Sequence, residues 1–164
     1  MRWFESAVLP GLLQTEAYTR AVLSSGPLIN DVENHIGTRL QRQAAVFERA
    51  RRPLSVFVID EAALRRGAPE IMEPQLDHLV TMAQQPNVLV HVLPLDAGLH
   101  PGQAGPFIIA TTPEGDDIGY VDDQAAGRIT KDVATLWAVW DTVRSVALPR
   151  SQTIEFLRAR SWLT

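Results

Sequence analysis

The chain has 164 residues, of which 46% are hydrophobic and 21% are charged, and it contains no cysteine. This composition suits a globular domain with a sizeable core, and it excludes disulfides, thiolate metal sites and cysteine nucleophiles. The net charge of −4 disfavours binding of nucleic acid through bulk electrostatics. No apolar run approaches the roughly 20 residues that span a bilayer, and no signal-peptide pattern occurs. We therefore expect a cytoplasmic protein without membrane contact.

The first third of the chain predicts an extended segment and two helices. Residues 2–9 are extended and end in a turn at Pro10, and Thr15 is placed to cap the first helix. Apolar side chains then recur at helical spacing over residues 32–47. Asn30 is predicted to cap this second helix, because a glutamate follows it three residues later.

The middle of the chain alternates short apolar strands with helices. Residues 54–59 and 88–93 are rich in β-branched side chains and almost wholly apolar, which predicts strands buried on both faces. Between them, residues 60–67 predict a short helix, and residues 72–83 predict an amphipathic helix with Pro74 in its first turn. This alternation is typical of α/β proteins.

The last third begins with a loop and ends with helices. Residues 94–105 contain five Gly or Pro residues and no periodicity, and a loop of this length favours a functional role. Residues 107–112 and 118–122 predict a β-hairpin, and residues 133–147 predict a helix. Ser151 is placed to cap a short final helix.

Together these elements predict an α/β fold, with a mixed α+β arrangement as the alternative. We expect a single domain over residues 1–164, because neither a repeat nor a shift in composition indicates a boundary. The expected architecture is a mixed sheet of about four to five strands packed with four to five helices.

Two carboxylates and a histidine are the candidate acid/base groups. Asp60 and Glu61 follow an apolar strand, at the edge where α/β sheets collect ligands. His100 lies in the Gly/Pro-rich loop, and with Glu61 it can form an acid/base pair. Structural roles remain open for all three. Asp60 can cap the next helix, Glu61 can pair with Arg65, and His100 can be an ordinary surface residue.

Arginine and tryptophan side chains are candidates for ligand contact. Arg39, Arg42 and Arg65 belong to a basic set that can form an anion pocket or a solvated helix face. Trp137 and Trp140 lie on the apolar face of the late helix, where they can form core or a pocket wall. No metal-ligand spacing and no nucleotide-binding or hydrolase motif occurs, so we expect neither metal nor cofactor.

Five motifs occur in an order typical of one family: PGLLQTEAYTRAVL (10–23), RLQRQ (39–43), DEAALRR (60–66), QLDHL (75–79) and VHVLPLDAGLHPGQAGPFII (90–109). With them the chain resembles the domain of unknown function that follows an XRE-type helix-turn-helix in many actinobacterial transcription regulators. The resemblance implies a C-terminal sensing or interaction domain rather than a reader of DNA. The family commonly has Glu after the IGYV strand, where this chain has Asp122 and Asp123.

Polar positions carry over from the family motifs. They are Gln14, Tyr18, Arg39, Arg42, Gln43, Glu61, Arg65, Gln75 and His100. Apolar walls are expected from aromatic side chains nearby. The candidate ligand-binding residues are therefore Gln14, Tyr18, Arg39, Arg42, Glu61, Arg65, His100, Phe107, Trp137 and Trp140.

The first functional hypothesis is an effector domain of an XRE-type transcription regulator. It binds a small organic ligand or a small partner protein in a pocket near residues 60–66 and 94–106, with Arg39 and Arg65 steering an anionic or polar group. Only nine residues precede Pro10, too few for a helix-turn-helix. We therefore expect no DNA-binding domain and no direct nucleic-acid contact in this chain, and a homodimer is left open.

The alternative hypothesis comes from a different class. The chain is then a free-standing enzyme of specialised metabolism, such as a cyclase or isomerase. Glu61 and His100 are its catalytic residues and move a proton in an apolar pocket that folds the substrate.

Overall fold

The computed structural model describes residues 1–26, 31–122 and 126–163. The strands are β1 (Arg2–Glu5), β2 (Ser55–Asp60), β3 (Val88–Leu93), β4 (Phe107–Thr111), β5 (Asp117–Val121) and β6 (Arg128–Thr130). The helices are α1 (Glu16–Ser24), α2 (Val32–Phe47), α3 (Glu61–Leu64), α4 (Pro69–Ala83), α5 (Val133–Val146) and α6 (Arg150–Ala159). Short 3₁₀ turns occur at Gly11–Leu13, Leu95–Ala97 and Pro101–Ala104.

The strands form one mixed sheet in the order β3-β2-β1-β4-β5-β6. Strands β1, β2 and β3 are parallel, whereas β4, β5 and β6 continue from β1 as an antiparallel meander. The chain thus winds outward from β1 to β3 and then crosses to the other side of β1. The predicted α/β class with a mixed sheet is confirmed. The sequence predicted β1 only as an extended segment, and it predicted neither the central position of this strand nor the short strand β6.

Different helices cover the two faces of the sheet. On one face, Phe57 and Ile59 of β2 belong to the apolar core that includes Leu76 of α4. On the other face, Phe4 and Trp140 belong to the core beside α5. Burial of each such side chain contributes about 1.5–3 kcal/mol, so packing against both faces stabilises the sheet.

The first two helices begin at side-chain caps. Thr15 accepts a hydrogen bond from the backbone N–H of Tyr18 at 3.2 Å, as predicted. The cap of α2 is Asp31, whose Oδ1 accepts from the N–H of Asn34 at 3.0 Å. The predicted cap, Asn30, lies outside the described residues. Aspartate serves here because its oxygen reaches an N–H in the first helical turn.

Proline decides where two later helices begin. Helix α4 starts at Pro69, so Pro74 lies inside the helix and the prediction that placed it in the first turn is wrong. Helix α6 starts directly after Pro149, so Ser151 is already helical and is not its cap. Proline suits these positions because the first N–H groups of a helix have no intrahelical acceptor.

Gly37, in the interior of α2, offers a gain in stability. A Cβ added there meets nothing within 4 Å, and glycine costs a helix interior about 0.5–1 kcal/mol relative to alanine. We expect Gly37→Ala to raise the free energy of unfolding by about this amount, measured by urea denaturation. Gly115 has φ +98°, so Gly115→Ala is the contrasting variant and should lower stability. A destabilised Gly37→Ala protein would contradict the placement of Gly37 in open space.

Candidate functional site

A cleft of about 520 Å³ opens on the sheet face formed by β1, β4 and β5. Trp3, Ile108 and Tyr120 are cross-strand neighbours and form its floor. Glu5 and Asp122, at the ends of β1 and β5, complete the floor. The cleft lies at the carboxyl end of β1, where the order of strands reverses, and open α/β sheets bind ligands at such a switch point.

The opposite wall of the cleft is organised around Gln14, which is 2% exposed. Its Nε2 donates to the carbonyl oxygen of Leu9 at 2.6 Å. Its Oε1 accepts from the hydroxyl of Thr19 at 3.1 Å and from the guanidinium of Arg39 at 2.6 Å. With both ends of its amide engaged, Gln14 fixes the position of Arg39 in the cleft.

Helix α2 supplies the basic part of the wall. Gln43 Nε2 donates to the carbonyl oxygens of Gly11 and Gln14, each at 2.9 Å, and so ties α2 to the turn before α1. Arg39 and Arg42, on the same helix, both line the cleft. Burial lowers the pKa of Arg39, as does neighbouring Arg42.

Glu5 is the most unusual group in the cleft. Its Oε1 accepts from the indole N–H of Trp3 at 3.1 Å, but its Oε2 is buried without a hydrogen-bond partner. Burial raises the pKa of Glu5 to about 7; Asp122 adds to the increase, while Trp3 and Arg39 oppose it. A buried acceptor without a partner costs about 1–3 kcal/mol. Such a carboxyl in a cleft is a candidate for ligand contact.

A second cleft, of about 310 Å³, lies at the carboxyl ends of β2 and β3. His100 Nε2 lies 3.1 Å from Asp60 Oδ2, while His100 Nδ1 is buried and has no hydrogen-bond partner. Asp60 also caps α3, because its Oδ1 accepts from the N–H of Ala62 at 2.8 Å. His100 Nδ1 and Glu5 Oε2 are thus both buried polar atoms without a partner, one beside each cleft.

Glu61 has the structural partner that the sequence offers, Arg65, and a backbone N–H besides. Its Oε1 accepts from Arg65 Nε at 2.7 Å, and its Oε2 accepts from the N–H of Leu95 at 2.9 Å. The guanidinium of Arg65 also lies 5.5 Å from the ring centroid of Trp162. The structure thus pairs Glu61 with Arg65 and His100 with Asp60, instead of Glu61 with His100.

The predicted aromatic residues line neither of these two clefts, although Phe107 lines a small cavity beside the floor of the first one. Tyr18 is 5% exposed and its hydroxyl accepts a backbone N–H. Phe107 and Trp140 are buried in the core beside α5. Trp137 donates from its indole N–H to Asp117 Oδ2 at 2.9 Å. These side chains stabilise the fold around the clefts.

Three of the predicted ligand-binding residues, Gln14, Arg39 and Arg42, line the first cleft. Trp3, Glu5 and Tyr120 were missed. Alternation in a strand does place Trp3 and Glu5 on one face, but residues 2–5 are too few to show which face is buried. Of the acidic pair Asp122 and Asp123, the first lines the cleft and the second lies outside the described residues.

Within residues 1–26, 31–122 and 126–163, no cluster of three or more His, Asp or Glu side chains could hold a metal ion. No helix in those ranges has the length and apolar character needed to cross a membrane.

These features define a mixed α/β domain with a cleft at the switch point of its sheet. The family model described as "Domain of unknown function (DUF5753)" matches residues 1–159, so the chain belongs to this family. The match agrees with the domain of unknown function that the motifs predict. Neither the curated proteins nor the solved structures contain a match to the chain.

Proposed function

We propose that this chain is a small-molecule-binding effector domain of an XRE-type transcription regulator, with its ligand in the first cleft. The observation that carries the proposal is the buried, unpartnered Oε2 of Glu5 in a cleft of about 520 Å³. Ligand pockets are typically about 300–1,000 Å³, mostly apolar, with a few polar groups that orient the ligand. The family motifs, which resemble the domain behind XRE-type helix-turn-helix units, support the effector role.

Helix α2 is the element best placed to transmit binding. Among its 16 residues, Ile36 is the one that is buried, and Arg39 and Gln43 attach the helix to the turn before α1. An element with little buried surface moves at low free-energy cost. A ligand that contacts Arg39 or Arg42 would favour one position of α2 over others, and this is how binding is coupled to a distant response.

The test is a screen of small organic fragments against the isotope-labelled chain by NMR. We expect binding fragments to shift the amide signals of residues on both sides of the cleft, such as Leu9, Arg42, Ile108 and Tyr120. Such a pattern requires that the ligand lie between the sheet and α2. Shifts confined to the second cleft, around His100, would contradict the proposal.

A variant that fills the cleft provides the control. A Cβ at Gly11 would lie 3.6 Å from Arg39 Nε and 3.8 Å from Trp3 Cη2, in ordinary van der Waals contact. The Cβ of Gly11→Leu is therefore tolerated and lies between two residues of the cleft, so we expect the added side chain to weaken fragment binding at least about tenfold. Gly37→Ala is the matched glycine variant outside the cleft and should bind as the parent does. Equal binding in Gly11→Leu would overturn the location of the site.

A further inference from the structure

We infer that the ligand of the first cleft carries a cationic amine, which the carboxylates of Glu5 and Asp122 bind against the aromatic floor. This inference rests on the proposed function and names the chemical class of its ligand. The juxtaposition behind it is a buried carboxylate oxygen without a partner, a second carboxylate in the same cleft and two aromatic rings beside them.

The two carboxylates stand at the same level of the sheet. Phe4, Phe107 and Val121 are in register across β1, β4 and β5, and Glu5 and Asp122 each follow the paired residue of their strand. One strand separates them, so their backbones are roughly 10 Å apart, and both side chains line the cleft. A cation between them would interact favourably with both negative charges.

The aromatic floor suits the same ligand. Trp3 and Tyr120 lie in one cross-strand row with Ile108 between them, next to the two carboxylates. Aromatic rings attract ammonium groups through their negative faces, and the attraction increases when water is excluded. Such rings also bury the apolar part of an amine.

Among the cations of the cleft, Arg39 attracts Glu5 only through space. The guanidinium of Arg39 donates to Gln14, and no hydrogen bond joins it to Glu5. Arg39 and Arg42 belong to the opposite wall. An anionic ligand group on the floor of the cleft would be repelled by two carboxylates. A neutral hydrogen-bond donor could satisfy Glu5 Oε2 but would leave the second negative charge unpaired. An amine satisfies the hydrogen-bond acceptor and both charges together.

Three probes that share one apolar body separate these alternatives. They are phenethylamine, phenethyl alcohol and 3-phenylpropionate, which are cationic, neutral and anionic at about pH 8. Binding to the full chain is followed by NMR titration. We expect the amine to bind at least about tenfold more tightly than the other two, the factor that one charge-assisted hydrogen bond supplies.

Charge-neutral variants identify the groups responsible. Glu5→Gln keeps the shape and the acceptor for Trp3, and we expect it to weaken amine binding about tenfold or more while changing alcohol binding less than about twofold. Asp122→Asn should reduce amine binding in the same direction. Glu114→Gln removes a negative charge from the exposed β4–β5 turn and serves as the matched control, with no expected effect.

The outcomes separate this inference from the proposed function. The inference of an amine ligand is overturned if the alcohol or the carboxylate binds more tightly than the amine. It is also overturned if the amine affinity is unchanged in both Glu5→Gln and Asp122→Asn. Either result leaves the cleft as a ligand site. Failure of all three probes, together with an NMR fragment screen in which no cleft signal shifts, overturns both.

Discussion

Replacement of Glu5 by glutamine is expected to raise the free energy of unfolding by about 1–3 kcal/mol above pH 7. Burial raises the pKa of this carboxyl from 4.5 to about 7 in the folded chain. Between pH 4.5 and about pH 7, the folded state therefore keeps a proton on Glu5 that the unfolded state has already released. Stability falls as the pH rises through that window and levels off above it. Glutamine carries no charge and removes this loss.

Urea denaturation at about pH 5 and about pH 8 measures the effect. Wild type should lose stability between the two values, and Glu5→Gln should lose much less. Three titratable or charged groups around Glu5 belong to other elements: Asp122 after β5, Arg39 on α2 and Tyr18 on α1. Asp122→Asn should therefore reduce the pH dependence in part. An equal change of stability with pH in wild type and in Glu5→Gln would contradict the raised pKa of Glu5.

A destabilising carboxyl at the floor of a cleft also bears on function. The raised pKa predicts that an uncharged residue in place of Glu5 would gain stability above pH 7. Natural proteins keep such unfavourable groups where binding or chemistry needs them. The predicted stabilisation of Glu5→Gln and the predicted loss of amine binding would together link the stability cost to binding.

Gly102→Ala is expected to lower the free energy of unfolding by about 2–4 kcal/mol. A Cβ on Gly102 would lie 2.5 and 2.6 Å from ring carbons of Phe4 and 3.0 Å from Val143 Cγ1. Phe4 is fully buried in the central strand and packed in the core beside α5. The Gly/Pro-rich loop therefore needs glycine at this position for close packing.

A double-mutant cycle tests this explanation. Phe4→Leu removes the ring atoms that the added methyl group would meet, at a cost of its own of about 1–3 kcal/mol. In the double variant with Gly102→Ala the loss should be at least about 1 kcal/mol smaller than the sum of the two single losses. Urea denaturation measures the free energy of unfolding of each variant, provided that its dependence on urea concentration has the same slope as in wild type. Strictly additive losses would show that the contact with Phe4 is not the cause.

Local pattern was sufficient for much of the fold. β2 and β3 are almost wholly apolar, and the two strands of the β4–β5 hairpin flank a turn with Gly115, so each contains its own signal. The role of β1 was not predictable in this way, because four residues show little periodicity and its neighbours lie far along the chain. The β1–β4 pairing defines the first cleft.

The residues of the candidate site likewise differ in whether local sequence patterns reveal them. Gln14, Arg39 and Arg42 were accessible through the family motifs, whereas Trp3, Glu5 and Tyr120 required the strand register. For Glu61 the structure has the ion pair with Arg65, which the sequence offered as the structural alternative to an acid/base pair with His100. Glu61 has Arg65 one helical turn away, and Asp60 stands opposite the imidazole.

The central position of β1 sets the order in which the cleft can be completed during synthesis. Phe4 pairs with Val58 on one side and with Phe107 on the other, so its second neighbour leaves the ribosome roughly 100 residues after it. Contacts between such distant segments form slowly, since a long loop must close first. A molecule bound between β1, β5 and α2 would hold together segments that join late, and would thereby slow the unfolding of the chain.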